Sequence, residues 1–281
     1  MPKAICKICQ GECSVFAHTA KCKRCGVLLY YPYVSDEVLG TFDEDERKSA
    51  YNEWYREASF LNHVNFTNMF RFVIDPSQSD EEYSILDYGG GGGQFALIAL
   101  SHLPNCKVFI TDICDHGIQS HWASINNQIL FKDFPSDENK FDVIFLNDVF
   151  EHVNNPLGVI QLLASKLKKG GKIFIDTPKQ FWLYPVLKFI YKPLYHKLLI
   201  GTVQRANLQI WTKKSFNHVL GEANLKIVKY KEVTEFTRRP PFYLDAMGIT
   251  SPIIRFFGAV LYSNARWLLR NKIMCVCQEI S

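Results

Sequence analysis

Residues 85–93 read Ile-Leu-Asp-Tyr-Gly-Gly-Gly-Gly-Gly, and no other stretch limits the fold as sharply. An apolar run of strand character ends in an acid, turns through five successive glycines and opens the helical stretch Gly93–His102. Glycines at such a turn permit positive φ and let the backbone approach a ligand closely. A strand feeding a helix through this kind of loop starts an α/β unit.

The rest of the chain repeats that grammar. Short apolar runs predict strands at Tyr83–Tyr88, Lys107–Thr111, Phe141–Asn147 and Lys172–Asp176, with a further helix at Leu157–Leu167. Lys226–Val233 and Lys272–Gln278 read as two later strands. With 281 residues and 47% apolar content there is enough chain for one large core and a small accessory module.

A glycine-rich loop alone also suits dinucleotide enzymes. Asp87, inside the strand and ahead of the glycines, separates the two cases, because a dinucleotide fingerprint has no need of it. S-adenosylmethionine (SAM) carries an ammonium and a carboxylate rather than a pyrophosphate, and an acid here orders the loop or neutralises the ammonium. The pattern Asp87-x-Gly89-x-Gly91-x-Gly93 therefore points to SAM rather than NAD. Asp112, about twenty residues on at the next strand end, is placed to accept from both ribose hydroxyls. Asp133 and Phe134 follow the presumed third strand and suit the adenine, the carboxylate toward N6 and the ring against the base. Asn147, at the tip of the fourth, suits the methionyl part.

These motifs are similar to those of class I SAM-dependent methyltransferases, specifically the small-molecule group with an N-terminal zinc ribbon. Residues 141–156, with Glu151-His152 at their centre, resemble that family's fourth strand and Glu-His signature. Residues 167–178 resemble its next turn and fifth strand, and Tyr31-Pro32-Tyr33 its link from ribbon to helical region. The resemblance runs from Cys6 to Pro178 and again over Leu208–Tyr230. It implies a Rossmann-like α/β fold, a seven-stranded sheet with helices on both faces, and methyl transfer from SAM. It says little about the acceptor.

The N-terminus carries a second motif. Cys6-x-x-Cys9 and Cys22-x-x-Cys25 are separated by twelve residues. Each two-residue gap brings a pair of thiolates onto one ion, and two such knuckles complete a tetrahedral S₄ shell suited to Zn²⁺. A closed four-cysteine site has no position for substrate, so the expected zinc is structural. Cys13 and His18 are spare candidates. Nine cysteines, odd in number and front-loaded, fit a reducing cytoplasm better than a disulfide framework. Neither a signal peptide nor a long apolar run is evident.

The expected division is a zinc ribbon over 1–35, a helical linker or cap over 36–78, and a SAM-dependent methyltransferase domain over 79–281. Tyr51, Trp54, Tyr55, Phe60, Phe66 and Phe70 supply the helical character of the middle zone. Lid insertions are expected near 178–206 and 240–270. The stretch from Thr177 to Gly221 has no Asp or Glu but seven Lys and Arg and many aromatics. It suits an anionic acceptor or an anionic membrane surface, or is a lid packed on its own core with solvated lysines. In residues 252–270, Ile253, Phe256, Phe257, Val260, Leu261, Trp267 and Leu268 share a helical face, opposite Arg255, Ser263, Arg266 and Arg270. That face is expected to cover the core, with a peripheral membrane contact as the alternative.

His152 is the candidate general base, supported by Glu151; the alternative is that the pair only holds the strand-end loop. The Asn147-Asp148-Val149-Phe150 sequence lacks the Asn/Asp-Pro-Pro-Tyr of amino-methylating DNA enzymes, which argues against adenine-N6 or glutamine methylation. The expected reaction is methylation of a small, anionic or lipid-linked acceptor such as a sugar, nucleotide-sugar or lipid-linked glycan. The alternatives are an RNA methyltransferase using the ribbon as its RNA-binding module and a SAM-binding scaffold. A net charge of only +4 and the acidic run Asp43–Glu46 weigh against RNA.

Overall fold

The computed structural model describes residues 4–16, 18–34, 62–75, 77, 82–112, 129–131, 139–180, 207–235, 250–264 and 270–280. Asp133, Phe134, Cys114, residues 36–61, the segment 181–206 and residues 236–249 and 265–269 lie outside the described residues, and with them the adenine contact, the first expected lid and much of the second.

Strands β1 (Ala4–Ile5), β2 (Glu12–Phe16), β3 (Thr19–Cys22) and β4 (Leu28–Tyr30) form an antiparallel meander. After a helix over 62–73, α1, come β5 (Ser84–Tyr88), α2 (Gln94–His102), β6 (Lys107–Thr111), β7 (Ile129–Phe131) and β8 (Phe141–Asn147). Then follow α3 (Pro156–Ser165), β9 (Leu167–Pro178), β10 (Gln209–Ile210), α4 (Lys213–Glu222), β11 (Leu225–Val233), α5 (Pro252–Asn264) and β12 (Lys272–Glu279).

The large sheet has the order β11-β12-β9-β8-β5-β6-β7. Strands β7, β6, β5, β8 and β9 run parallel, and β12 is antiparallel to both its neighbours. From β5 the chain proceeds outward through β6 and β7, then returns to lay β8 on the opposite side of β5. Crossovers therefore leave in both directions at β5, and in sheets of this kind ligands bind at such a point, here the carboxyl ends of β5 and β8.

Side chains alternate along these strands and supply two cores. Ile85, Val108, Ile110, Val143, Phe145, Phe174, Met274 and Val276 face one way, toward α1 and α2. There Phe66 packs edge-on to Phe95 and Phe70 stacks on His102. The intervening Leu86, Phe109, Ile144, Leu146, Ile173, Ile175 and Cys275 face the other way, toward α3 and α4. Both faces are covered, as a mainly parallel sheet requires.

The second core also contains Cys6, Cys9, Cys22, Cys25, Val27 and Leu29. The small meander takes its fifth strand from β10, paired as Gln209 with Leu29 and Ile210 with Leu28. Phe150 stacks on Trp211 and Phe216 packs tilted against both where the two sheets meet, ring centroids 4.7–5.7 Å apart.

Helix α5 departs from the expected core cover. Its apolar side chains Ile253, Phe256 and Phe257 are 69%, 65% and 65% exposed, while Arg255, Gly258 and Ala259 are the less exposed positions. The apolar face points away from the protein. Periodicity established that the face exists but not which side the core lies on.

Candidate functional site

The glycine loop is shaped by its alternation. The three motif glycines, Gly89, Gly91 and Gly93, have φ of 72°, 49° and 76°, the left-handed region that side chains disfavour. Gly93 caps α2 from that conformation. At Gly90 a β-carbon would sit 2.5 Å from Asp87 Oδ2, so no side chain fits between the loop and the acid beneath it.

The loop is tied to the neighbouring strand. Gly89 N–H donates to the Thr111 carbonyl at 2.7 Å, and Gly91 N–H donates to Asp112 Oδ2 at 2.8 Å. The expected loop acid and ribose acid thus belong to one constellation at the ends of adjacent parallel strands.

Asp87 is fully buried, and neither of its oxygens has a hydrogen-bond partner in the protein. The amide oxygen and nitrogen of Asn147, at the end of adjacent β8, are likewise buried and unpartnered. Burial, then the charge of Asp112, pushes the Asp87 carboxyl up to about 7, with the Asn147 amide opposing. Buried polar atoms without partners are costly. Two such side chains under a glycine turn fit a ligand that brings its own ammonium and polar atoms, which is the chemistry of the methionyl end of SAM.

Glu151 and His152 lie in the loop between β8 and α3. Glu151 is buried; its Oε2 accepts from Thr177 Oγ1 at 2.9 Å, and burial pushes it up to about 7, opposed by His152 and reinforced by Asp148. His152 is 44% exposed, with Nε2 3.9 Å from Glu151 Oε1, beyond hydrogen-bond distance. The loop is clamped from β10. Gln209 Nε2 donates to the carbonyls of Phe150 and Val153 at 2.9 and 2.6 Å, and Leu208 N–H donates to that of Glu151 at 2.9 Å. Asn155 closes the loop by accepting from Gly158 N–H, with Pro156 opening α3.

Beside this loop lies a cluster that sequence reasoning missed. Lys272 Nζ is 2.6 Å from Asp148 Oδ2, 2.7 Å from Asp176 Oδ2 and 2.9 Å from Glu235 Oε1. Asp176, Glu235 and Lys272 are buried, Asp176 Oδ1 has no partner, and Asp148 sits at φ 52°. Burial alone would lower the ammonium, but the three carboxylates hold it well above its ordinary value. Burial drives Asp176 and Glu235 upward although the ammonium opposes it. The three acids have the spacing of a metal site, and the lysine ammonium already bonds to all of them. Each of these residues sits at a strand end or just beyond one, but nothing local announces a meeting across 96 or 124 positions.

The second expected site is assembled as well. The sulfurs of Cys6, Cys9, Cys22 and Cys25 all lie within 4.8 Å of one another, buried and free of disulfides. Backbone N–H groups of Arg24 and Cys25 point at Cys22 Sγ, at 3.3 and 3.4 Å. The sulfurs of Cys6 and Cys25 lie 3.8 Å apart, and their hydrogen bond lowers the Cys6 thiol below its ordinary value. Four converging thiols with amide donors suit a soft tetrahedral cation. Cys13 pairs with Cys22 across β2 and β3 but stands outside this quartet.

Residues 41–230, more than half of the chain, match a family model described as a methyltransferase domain. The chain belongs to this family.

The methyltransferase domain has curated relatives. It is 30% identical over 105 residues to malonyl-[acyl-carrier protein] O-methyltransferase 1 of Ilyobacter polytropus, covering 35% of this chain and 39% of that protein. It is 28% identical over 141 residues to the ubiquinone biosynthesis O-methyltransferase of Glaesserella parasuis, covering 44% and 58%. The chain thus spans less than two thirds of the length of these relatives. Coclaurine N-methyltransferase, solved with N-methylheliamine and SAH, resembles the methyltransferase domain in fold, with a TM-score of 0.51 at 13% identity over 77% of this chain and 70% of that one.

Proposed function

We propose that this protein transfers a methyl group from SAM to a small acceptor, anionic or lipid-linked, and that its four-cysteine cluster holds a structural zinc ion. The observation that carries the first part is the unpartnered pair of buried side chains, Asp87 and Asn147, beneath the glycine loop that Asp112 ties down. Asp87 would take the methionyl ammonium, Asn147 its neighbouring polar atoms and Asp112 the ribose hydroxyls, while Asp133 and Phe134 are assigned to the adenine. When bound, SAM supplies an electrophilic sulfonium methyl, so the protein's own work is alignment, exclusion of water and removal of any acceptor proton.

His152 suits that last task. It is accessible, lies at the carboxyl edge of the parallel strands, and is backed by a buried carboxyl that Thr177 orients. Both curated relatives are named O-methyltransferases, which supports an acceptor oxygen, its proton passing to His152. The acid-free segment 177–221 starts at the carboxyl end of β9, which supports an anionic acceptor on that edge. Among the described residues no helix is long and apolar enough to cross a membrane.

The test is calorimetric titration of SAM and SAH into zinc-loaded protein, followed by transfer of labelled methyl to a panel of sugar phosphates, nucleotide-sugars and lipid-linked glycans. Micromolar SAM binding and label in one acceptor class support the reading; folded protein that binds neither SAM nor SAH overturns it.

A further inference from the structure

The connection between β11 and β12 is an excursion with a fastened base. Glu235 N–H donates to Asn271 Oδ1 at 2.8 Å, Asn271 Nδ2 donates to the Glu235 carbonyl at 2.6 Å, and Asn271 N–H donates to that of Val233 at 3.0 Å. Lys272 stands opposite Pro178 in the ladder, so this base lies at the carboxyl end of β9. That is the edge of the sheet on which the cofactor site opens. The other long excursion, after Pro178, leaves from the same edge.

Within the fastened excursion lies α5, thirteen residues and about 20 Å long. Ile253, Phe256 and Phe257, spaced as neighbours on one helical face, are all more than three-fifths exposed, and Ile254 flanks them at 54%. A helix on a globular surface turns such a face inward. Four large apolar side chains grouped in the open mark a surface that meets something other than water.

Charge identifies what that is. No Asp or Glu occurs from residue 246 to 278, whereas Arg255, Arg266 and Arg270 do. Residues 177–206 and 236–271, the two excursions without the buried Lys272, together carry ten lysines and arginines against Asp245 alone; the rest of the chain has twenty-two against twenty-seven acids. The net positive charge of the protein thus belongs to the two excursions that leave its cofactor edge. A second copy of the chain would bring like charges together, whereas an anionic bilayer offers negative headgroups and an apolar boundary to the same helix. A helix of this length lies along such a surface and does not span it.

We infer that α5 is an interfacial helix that seats the cofactor edge of the protein on an anionic phospholipid bilayer, with Ile253, Phe256 and Phe257 entering the acyl boundary. This deepens the reading of the site as a methyltransferase, because an acceptor carried on a lipid is then presented to the edge that holds SAM.

The experiment is flotation of the full chain with vesicles of phosphatidylcholine containing phosphatidylglycerol, against phosphatidylcholine alone. It is read without methyl transfer, so its failure and that of the proposed reaction are distinguishable. The chain is expected to float with the anionic vesicles and about tenfold less with neutral ones or in high salt. The triple variant Ile253→Ser, Phe256→Ser, Phe257→Ser is expected to lose about a hundredfold in vesicle affinity. Its thermal midpoint and SAM affinity should match those of the wild type, since the three side chains stand in solvent. A wild type that stays with the unbound fraction, or a variant that floats as well as wild type, overturns the inference. So does a wild-type dimer that the variant converts to monomer, which would assign the face to a second copy.

Discussion

The hydroxyl of Thr212 donates a hydrogen bond to the carbonyl of Cys25 at 2.8 Å, across 187 positions of sequence. The same Thr212 Oγ1 accepts from Ser215 N–H and caps α4, with the Ser215 hydroxyl completing a capping box. One side chain therefore joins the second cysteine knuckle to a helix of the large sheet. Gln180 Nε2 reinforces the seam on the Gly26 carbonyl, and Lys7 Nζ reaches the Asn154 carbonyl at 3.1 Å. The cysteine module and the loop carrying Glu151 and His152 share a strand, β10, and a core.

Loss of the proposed zinc should accordingly be felt beyond the module. Cys22→Ser removes the thiol that accepts from two backbone amides. Zinc measured by atomic emission is expected to fall from one equivalent to near zero, and the thermal midpoint by about 10 °C or more, since a metal held by the four thiols would contribute its binding free energy to folding. Hydrogen exchange should quicken over residues 4–30 and also over 207–212. Quickening confined to the module would show that the seam transmits nothing.

The Asp87 carboxyl, pushed up to about 7, sets a pH dependence. Its raised value means that the folded protein without ligand holds a proton that the unfolded chain has lost. This group's contribution to stability therefore declines as pH rises from about 4 to about 7 and is level above that. An ammonium bound beside the ionised carboxylate reverses the penalty, so SAM affinity should rise over the same range. Between about pH 6 and pH 8 the dissociation constant is expected to fall about tenfold, with proton release visible as a buffer-dependent enthalpy. Asp87→Asn should bind more weakly and flatten the profile. A flat wild-type profile would mean that Asp87 does not meet the ammonium. Glu151, also raised to about 7, stays present in both proteins and serves as the internal control.

The legible parts of the chain were those with local causes. Lys107–Thr111 and Phe141–Asn147 were read to the residue because their side chains divide between two cores, each buried. The fifth parallel strand was read short, as Lys172–Asp176, because Lys168, Lys169, Gly170 and Gly171 carry no apolar signal; the ladder nevertheless begins with Leu167 opposite Phe141. Strand β10 was invisible. Two residues have no period, and Gln209–Ile210 is a strand only because Leu28 and Leu29 lie beside it. At the site the motif residues were legible, since a glycine turn and its flanking acids are neighbours in sequence. The clamp by Gln209 and the cluster around Lys272 were not, being contacts that only the completed sheet creates.

Asp112 carries two burdens, the Gly91 N–H and the assigned ribose hydroxyls. Asp112→Ala should weaken SAM binding by about a hundredfold in calorimetry, because hydrogen bonds to a charged acceptor contribute about 1.5–3 kcal/mol each. Asp112→Asn keeps one acceptor oxygen and should lose about tenfold. The ligand-free thermal midpoint should move by only a few degrees in either variant. A large fall in midpoint with unchanged affinity would assign Asp112 to the loop alone.

Lys272 has the opposite balance, structural before chemical. Its ammonium bonds to two buried carboxyls, Asp176 and Glu235, whereas Asp148 is 41% exposed. Lys272→Met removes one charge and leaves the others buried, so urea titration should show a loss of about 3–5 kcal/mol, the usual result of stripping one partner from a buried ion pair. The sign of the pH effect follows from the acids. Without the ammonium their pKa values rise further, so protonation relieves the strain and the deficit relative to wild type should shrink as pH falls from 8 toward 5. Lys272→Arg, which keeps the charge in a larger planar group, should restore part of the loss but not all, because the three carboxylates converge on a point donor. A deficit that stayed constant with pH would show that Lys272 acts through packing of its stem between β9 and β11 rather than through its charge.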